Sequence, residues 1–311
     1  MTEIVTLTLN PAVDLSFSVE RMVDTRKLRR SDPRKDAGGG GINVARVAHR
    51  LGADCLALYA AGGETGRLLR ALLEAEEVPA CELAIAGDTR ENIAVLERST
   101  GREFRFVLPG PRVSQPEWLG VLEHIDALAP APHYLVASGS LPPGVPPDFY
   151  ARLARSARAK GYRLAVDASG EALAAALAEG VYLVKPSLDE LRELTGKPLI
   201  SQTDWRDAAC GIVRSGQARV VALTLGERGA LIATLDEVVV MPALPVRVVS
   251  AVGAGDSFLA ALIWALARGS SAQDALAYGL AAGAAAVLNA GTVLARAEDI
   301  MRFYCNAPKP T

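Results

Sequence analysis

Residues 252–257 read Val-Gly-Ala-Gly-Asp-Ser and run directly into FLAALIWALARG. Phe258, Leu259, Leu262, Ile263 and Leu266 recur at helical spacing, so the pattern predicts a helix starting near Gly255. The first N–H groups of a helix lack partners and carry the positive end of its dipole. Gly253 and Gly255 have no side chains to obstruct an anion, and Ala254 has only a methyl. Together these three form an anion hole with the Asp256 carboxylate fixed beside it. Phosphoryl transfer to an alcohol requires both parts: donors for the charge on the moving group and a base for the hydroxyl proton. The same residues also suit a plain helix start with Asp256 as its cap. The motif alone leaves both readings open.

A second glycine cluster, Gly38-Gly39-Gly40-Gly41-Ile42-Asn43, precedes another helical pattern. Glycine lets backbone approach a ligand closely. A dinucleotide fingerprint does not fit, because Asn43 stands where the third glycine belongs and no strand pattern leads into the loop. No GxxxxGK[ST] motif occurs. Ser138-Gly139-Ser140 ends a strand pattern, where ligands sit in open α/β sheets, although a tight turn would explain it too.

These residues need a scaffold, and the chain is long enough to provide one. It has 311 residues and is 50% hydrophobic, which suits one large domain with an appendage. The formal net charge of −2, with no basic stripe, speaks against nucleic acid and anionic membranes as partners. The four cysteines are scattered and the three histidines show no metal-ligand spacing, so neither a disulfide framework nor a zinc site is indicated. MTEIVTLTLN reads as a strand and lacks the features of a signal peptide. The apolar runs near 257–267 and 280–290 are too short or too weakly hydrophobic to span a bilayer. A soluble cytoplasmic protein is expected.

Strand and helix patterns alternate along most of the chain. VTLTL, CLALYAA, HYLVASG, YRLAVDAS, VYLVKPS and RVVALTLG read as strands. INVARVAHRLG, TGRLLRALLEAE and PDFYARLARSARAKG read as helices, as do residues 256–268 and 272–289 near the C-terminus. This rhythm predicts βαβ units and a mostly parallel sheet covered on both faces. Residues 14–36 and 89–108 break it. The latter reads as a hairpin, NIAVLE and EFRFVL around Ser99-Thr100-Gly101, with Phe104, Phe106 and Leu108 on one apolar face. The two segments together predict a small antiparallel sheet whose apolar face needs a partner.

GGGGINVAR, SGSLPPG and VGAGDS, in this order, resemble the ribokinase/PfkB family of carbohydrate kinases. TLTLNPAVD resembles its sugar-phosphate branch. Within that branch, KLR at 27–29, DTRENI, DASGEAL and LNAGT at 288–292 are most similar to the bacterial minor 6-phosphofructokinases. The resemblance spans nearly the whole chain. It implies a ribokinase-like three-layer α/β/α core (1–13, 37–88 and 109–311) and a β lid (14–36 and 89–108) that covers the sugar and pairs two subunits. It also implies ATP as donor, Mg²⁺, K⁺, and fructose 6-phosphate as acceptor, with tagatose 6-phosphate or fructose 1-phosphate as alternatives. A non-catalytic sugar-phosphate binder and a free-sugar kinase are further readings.

Residue by residue, the resemblance implies Asp256 as base and Gly253, Ala254 and Gly255 as anion hole. It implies Asp14, Gly39, Asn43, Ser138 and Gly139 around the sugar, and Lys27, Arg29 and Arg90 at its phosphate, with Arg105 a weaker candidate. On the nucleotide side it implies Lys185, Ser187, Thr224, Gly226, Gly229 and Asn289. Glu190 corresponds to the acid that organises the Mg²⁺-bound waters. The family's Asn stands as Ser187 here, a departure that touches metal and phosphate binding. Ser250, Val252, Ala286, Asn289 and Gly291 correspond to a monovalent-cation site.

Overall fold

The structure is a computed structural model and describes residues 2–25, 27–28, 33–289, 291 and 293–306. Its main sheet has nine strands. Seven are parallel, in the spatial order β11 (Ala218–Thr224), β10 (Val181–Val184), β9 (Arg163–Asp167), β8 (Tyr134–Ser138), β1 (Ile4–Thr8), β4 (Cys55–Ala61) and β5 (Ala80–Ala84). Two antiparallel strands, β12 (Ala230–Ala233) and β13 (Val238–Met241), extend it beyond β11. The sequence patterns point to the parallel strands from β1 to β11, apart from β5. They leave out β5, an edge strand that is nowhere fully buried, and β12 and β13, which follow no helical crossover.

Helices cover both faces. One layer buries Trp118, Phe149, Tyr150, Leu173 and Trp205 against one side of the sheet. The other buries Val44, Val47, Phe258, Leu262, Leu276 and Ile300 against the opposite side. The alternation within β1 shows why: Val5 and Leu7 join the first cluster and Ile4 the second. Fully buried parallel strands of this kind read as nearly continuous apolar runs. Among the described residues, no helix is long and apolar enough to cross a membrane.

A second sheet of four strands has the order β3 (Arg34–Gly38), β2 (Ala12–Val19), β6 (Arg90–Glu97) and β7 (Arg102–Val107). It is mixed, since β2 pairs parallel with β6 while β2–β3 and β6–β7 are antiparallel. β3 corrects the sequence expectation that no strand precedes the tetraglycine. Its charged start, Arg-Lys-Asp, masks the pattern, because only Asp36, Ala37 and Gly38 are buried. β2 and β3 also carry this sheet to Ala12 and Gly38, two residues beyond the expected limits at each end.

The chain runs from β1 towards β4 and β5 on one side, then towards β8 and onward on the other. The sheet order therefore reverses beside β1, and a crevice opens at the carboxyl ends of β1 and β8. The helix Gly40–Arg50 closes against that point. Its backbone comes so near β1 that a Cβ on Gly41 would stand 2.5 Å from the Leu7 carbonyl oxygen and 2.6 Å from Thr8 Oγ1. The Ile42 N–H donates to Thr8 Oγ1 at 2.8 Å. A glycine inside a helix ordinarily weakens it relative to alanine. Here Gly41→Ala is expected to reverse that sign and destabilise by roughly 1–3 kcal/mol through overpacking, read calorimetrically as a lower Tm. A raised Tm would mean that the helix does not need this approach.

Candidate active site

The helix Ala254–Ala267 begins at Gly253, which adopts a left-handed φ of 71°. A Cβ at this position would collide with the Leu294 side chain. The first strong intrahelical bond runs from the Ser257 N–H to the Gly253 carbonyl at 2.9 Å. The N–H groups of Gly255 and Asp256 precede it and project from the helix end. Asp256 is the third helical residue and its carboxylate is not a cap, since no side chain caps this helix. Asp256 Oδ2 accepts from Asn43 Nδ2 at 2.8 Å. Burial pushes the Asp256 carboxyl up to about 6, and the nearby Asp167 adds to this. The Asn43 hydrogen bond and Lys185 work in the opposite direction.

Asp256 opens into a polar cleft of about 300 Å³. Of the residues expected around the sugar and the anion hole, Asp14, Gly39, Asn43, Arg90, Ser138, Gly139 and Gly253 line it with Asp256. The beginnings of two helices thus meet at the crevice beside β1 and β8. The floor also holds Asp167, which the sequence analysis did not single out. Lys185 Nζ pairs with Asp167 Oδ1 at 3.0 Å, both nearly buried. Ser138 Oγ donates to Asp167 Oδ2 at 3.3 Å. Asp167 keeps the Lys185 ammonium protonated against its burial. The available signal for Asp167 was a carboxylate closing the strand pattern RLAVD.

The small sheet roofs the cleft. Its register sets Asp14, Asn92 and Val107 in one row and Ser16, Ala94 and Arg105 in the next. Alternation places both rows on one face, and all six residues line the narrow crevice between this sheet, Val252 and Gly291. Asn92 Nδ2 donates to Asp14 Oδ1 at 2.8 Å. Burial raises the Asp14 carboxyl, while Asn92, Arg105 and Arg90 partly offset that. Arg90 donates to the carbonyls of Leu108 at 2.8 Å and Asn10 at 2.9 Å, so it joins the two strand ends where the small sheet leaves the core. Arg105 lines the cleft without such a backbone commitment among the described residues. Lys27 is exposed and does not line the cleft, and Arg29 lies outside the described residues.

On the nucleotide side the structure is less convergent. Ser187 caps the helix Leu188–Thr195, with Glu190 closing the reciprocal half of the box at 2.7 Å. Glu190 still borders the cleft. Thr224 ends β11, with Gly226 and Gly229 in the following turn, and none of the three lines the cleft. Asn289 directs its side-chain amide to the carbonyls of Ala285 at 3.1 Å and Leu294 at 3.2 Å. The N–H groups of Val249 and Ser250 both donate to the Val287 carbonyl, which brings 249–250 beside the end of the helix Ala272–Ala286. Ser250 Oγ bonds to Glu103 of β7 at 3.1 Å.

Buried, ionised Asp256 carries a stability consequence. Its folded pKa lies above the ordinary value of 3.8, so the folded state holds the proton more tightly. The stability that this contributes is lost as pH rises from about 4 towards about 6. Asp256→Asn is therefore expected to raise Tm above pH 6 and to lose that advantage near pH 4. Equal Tm values throughout would show that the carboxylate carries no such cost.

Comparisons with known proteins agree with this geometry. The "pfkB family carbohydrate kinase" family matches residues 2–299. ATP-dependent 6-phosphofructokinase isozyme 2 of Mycobacterium tuberculosis (strain H37Rv) is 43% identical over 99% of this chain and 91% of its own length. The Escherichia coli (strain K12) protein of the same name is 40% identical over 98% of each. A crystal structure of phosphofructokinase-2 from Escherichia coli in complex with potassium superposes with a TM-score of 0.93 at 40% identity, covering 98% of this chain and 99% of that one. This chain, with its two helix starts and carboxylate at one crevice, belongs to the pfkB family of carbohydrate kinases and is a phosphotransferase with an alcohol acceptor.

Proposed function

We propose that this enzyme transfers the γ-phosphoryl group of ATP to fructose 6-phosphate and yields fructose 1,6-bisphosphate, in the cytoplasm. The carrying observation is Asp256: a buried carboxylate, one oxygen held by Asn43, at the start of a helix that faces a cleft roofed by two arginines. Asp256 Oδ1 takes the proton of the sugar's free primary hydroxyl as that oxygen attacks the γ-phosphorus. The bond to the bridging oxygen of ADP breaks, and the proton rests on Asp256. The Gly255 and Asp256 N–H groups and the Lys185 ammonium supply positive potential for the charge in transit. Asp14 and Asn43 orient neighbouring sugar hydroxyls.

Glu190 fits Mg²⁺ held through water: one carboxylate oxygen closes the helix cap, leaving a hard oxygen at the cleft. Among the described residues, no group of three or more His, Cys, Asp or Glu side chains could hold a metal directly, which suits an ion carried largely by phosphates and water. When bound, Mg²⁺ neutralises phosphate charge. The bonds from Val249 and Ser250 to the Val287 carbonyl support a K⁺ site nearby, among the carbonyls of Ser250, Val252, Ala286, Asn289 and Gly291.

Asp256→Asn should lower kcat by about 10²–10⁴ with sugar affinity retained, and parent-like turnover would remove Asp256 as base. Sugar choice is tested at the roof. Arg105→Ala should raise KM for fructose 6-phosphate roughly ten- to a hundredfold, spare KM for ATP, and leave free fructose unaffected. Arg90→Ala should weaken both sugars, because Arg90 also joins the strand ends. Equal losses for both sugars in Arg105→Ala would deny it the phosphate. A coupled assay across fructose 6-phosphate, tagatose 6-phosphate, fructose 1-phosphate and free fructose ranks the acceptors.

The apolar face of the small sheet carries Leu15, Phe17, Ile93, Val95, Phe104 and Phe106 in register, with Phe106 still 50% exposed. A second copy of this chain is the proposed cover, giving a homodimer through the lid. Phe106→Asp is expected to weaken self-association and sugar binding together. Sedimentation of a fully active monomeric parent would exclude the dimer.

A further inference from the structure

Arg46 sits one turn beyond Asn43 on the helix Gly40–Arg50 and is fully buried. It does not line the cleft. Its guanidinium reaches Glu76 with Nη2 at 2.6 Å and Nε at 3.0 Å, in the forked geometry of a strong pair. Arg50 adds a second bond to the same carboxylate at 2.9 Å. Arg46 Nη1 points the other way. It donates to the Ala37 carbonyl of β3 at 2.7 Å and to Asn43 Oδ1 at 3.3 Å. A buried cation of this kind is costly unless it is paired, and a scaffold role needs only Glu76. Beyond that pair, Nη1 also reaches the amide that touches the base.

We propose that Arg46 is a positioning residue for phosphoryl transfer, fixing which end of the Asn43 amide meets Asp256. The inference rests on Asp256 acting as the base. A guanidinium only donates and an ionised carboxylate only accepts. Between them an amide has one satisfactory orientation, oxygen to Arg46 and nitrogen to Asp256. A protonated Asp256 could donate a hydrogen bond of its own, and a free amide would turn its oxygen to receive it. Arg46 opposes that turn, because the turned amide would set N–H against N–H. Asn43 is thus held as a donor to the ionised base and denied as an acceptor to the protonated one. The other charged groups facing Asp256 are Lys185 and Asp167 at the ends of β10 and β9, and Asp14 from β2. None of them bonds the Asn43 amide among the described residues.

The test is the acid limb of kcat/KM for fructose 6-phosphate, which reports ionisation in the free enzyme. Four proteins are compared: the parent, R46M, N43A and the double variant, each below its own Tm. Activity falls as pH drops through the pKa of the base, so favouring the protonated form moves the limb to higher pH. R46M is expected to shift it upward by about half to one unit and to lower kcat near neutral pH by roughly tenfold. N43A should shift the limb as well. The double variant should shift it no further than N43A, because no amide remains to orient. A lower Tm in R46M with an unmoved limb would overturn the proposal, as would additive shifts in the double variant. An unmoved limb in N43A overturns it even if R46M fails to fold. Parent-like activity in Asp256→Asn would instead sink the base assignment, so the two failures are told apart.

Discussion

Everything at this site follows from keeping one carboxylate ionised where water is scarce. Asp256 loses solvation on burial, and Asp167 nearby adds repulsion. Against this stand the Asn43 hydrogen bond, the Lys185 ammonium and the dipole of the helix it begins. The balance leaves the carboxyl near 6, basic enough to take a proton and ionised at neutral pH. Each compensating group comes from a different part of the chain. Asn43 comes from the first helix and Lys185 from the end of β10, and Asp256 from near the C-terminus. The parallel sheet is the device that brings them to one edge.

Closeness is the second constraint, and glycine provides it. Gly40 lies so near Ser138 that a Cβ would collide with its hydroxyl, and Gly41 lies against the backbone of β1. The helix Gly40–Arg50 therefore brings its beginning to the cleft rather than standing a side chain away. Gly253 does the same for the later helix by turning through a left-handed φ. Two positive helix ends then face one cavity. Such a place suits phosphate and sugar oxygens and disfavours an apolar ligand.

The small sheet couples this cleft to the rest of the molecule. Arg90 joins its incoming and outgoing strand ends, and Glu103 reaches Ser250 in the segment that leads to Gly253. Its two faces have opposite character because the strand period is two. Asp14, Asn92 and Arg105 face the cleft, while Phe104 and Phe106 face away. A roof of this kind sets polar groups over the cleft on one side and an apolar surface on the other.

The alternating apolar runs, the glycines before Asn43 and Asp256, and the order of the motifs were local properties. They determined the α/β class, six of the seven parallel strands and Asp256 as the candidate base without any coordinates. β3 was illegible because its exposed half is charged, β5 because it is a partly exposed edge strand, and β12 and β13 because they return antiparallel outside the βαβ rhythm. Three matters belonged to the tertiary structure alone. Lys185 faces Asp167 because β9 and β10 are neighbours. Arg90 bonds carbonyls eighteen and eighty residues away, which changes it from a plain phosphate candidate to a joint in the roof. Arg46 reads from sequence as one more helix cation, yet in space it points at the amide of Asn43. Periodicity and backbone freedom are written in neighbouring residues. The partner of a charge is set by which strands and helices come to lie side by side, and only the folded chain decides that.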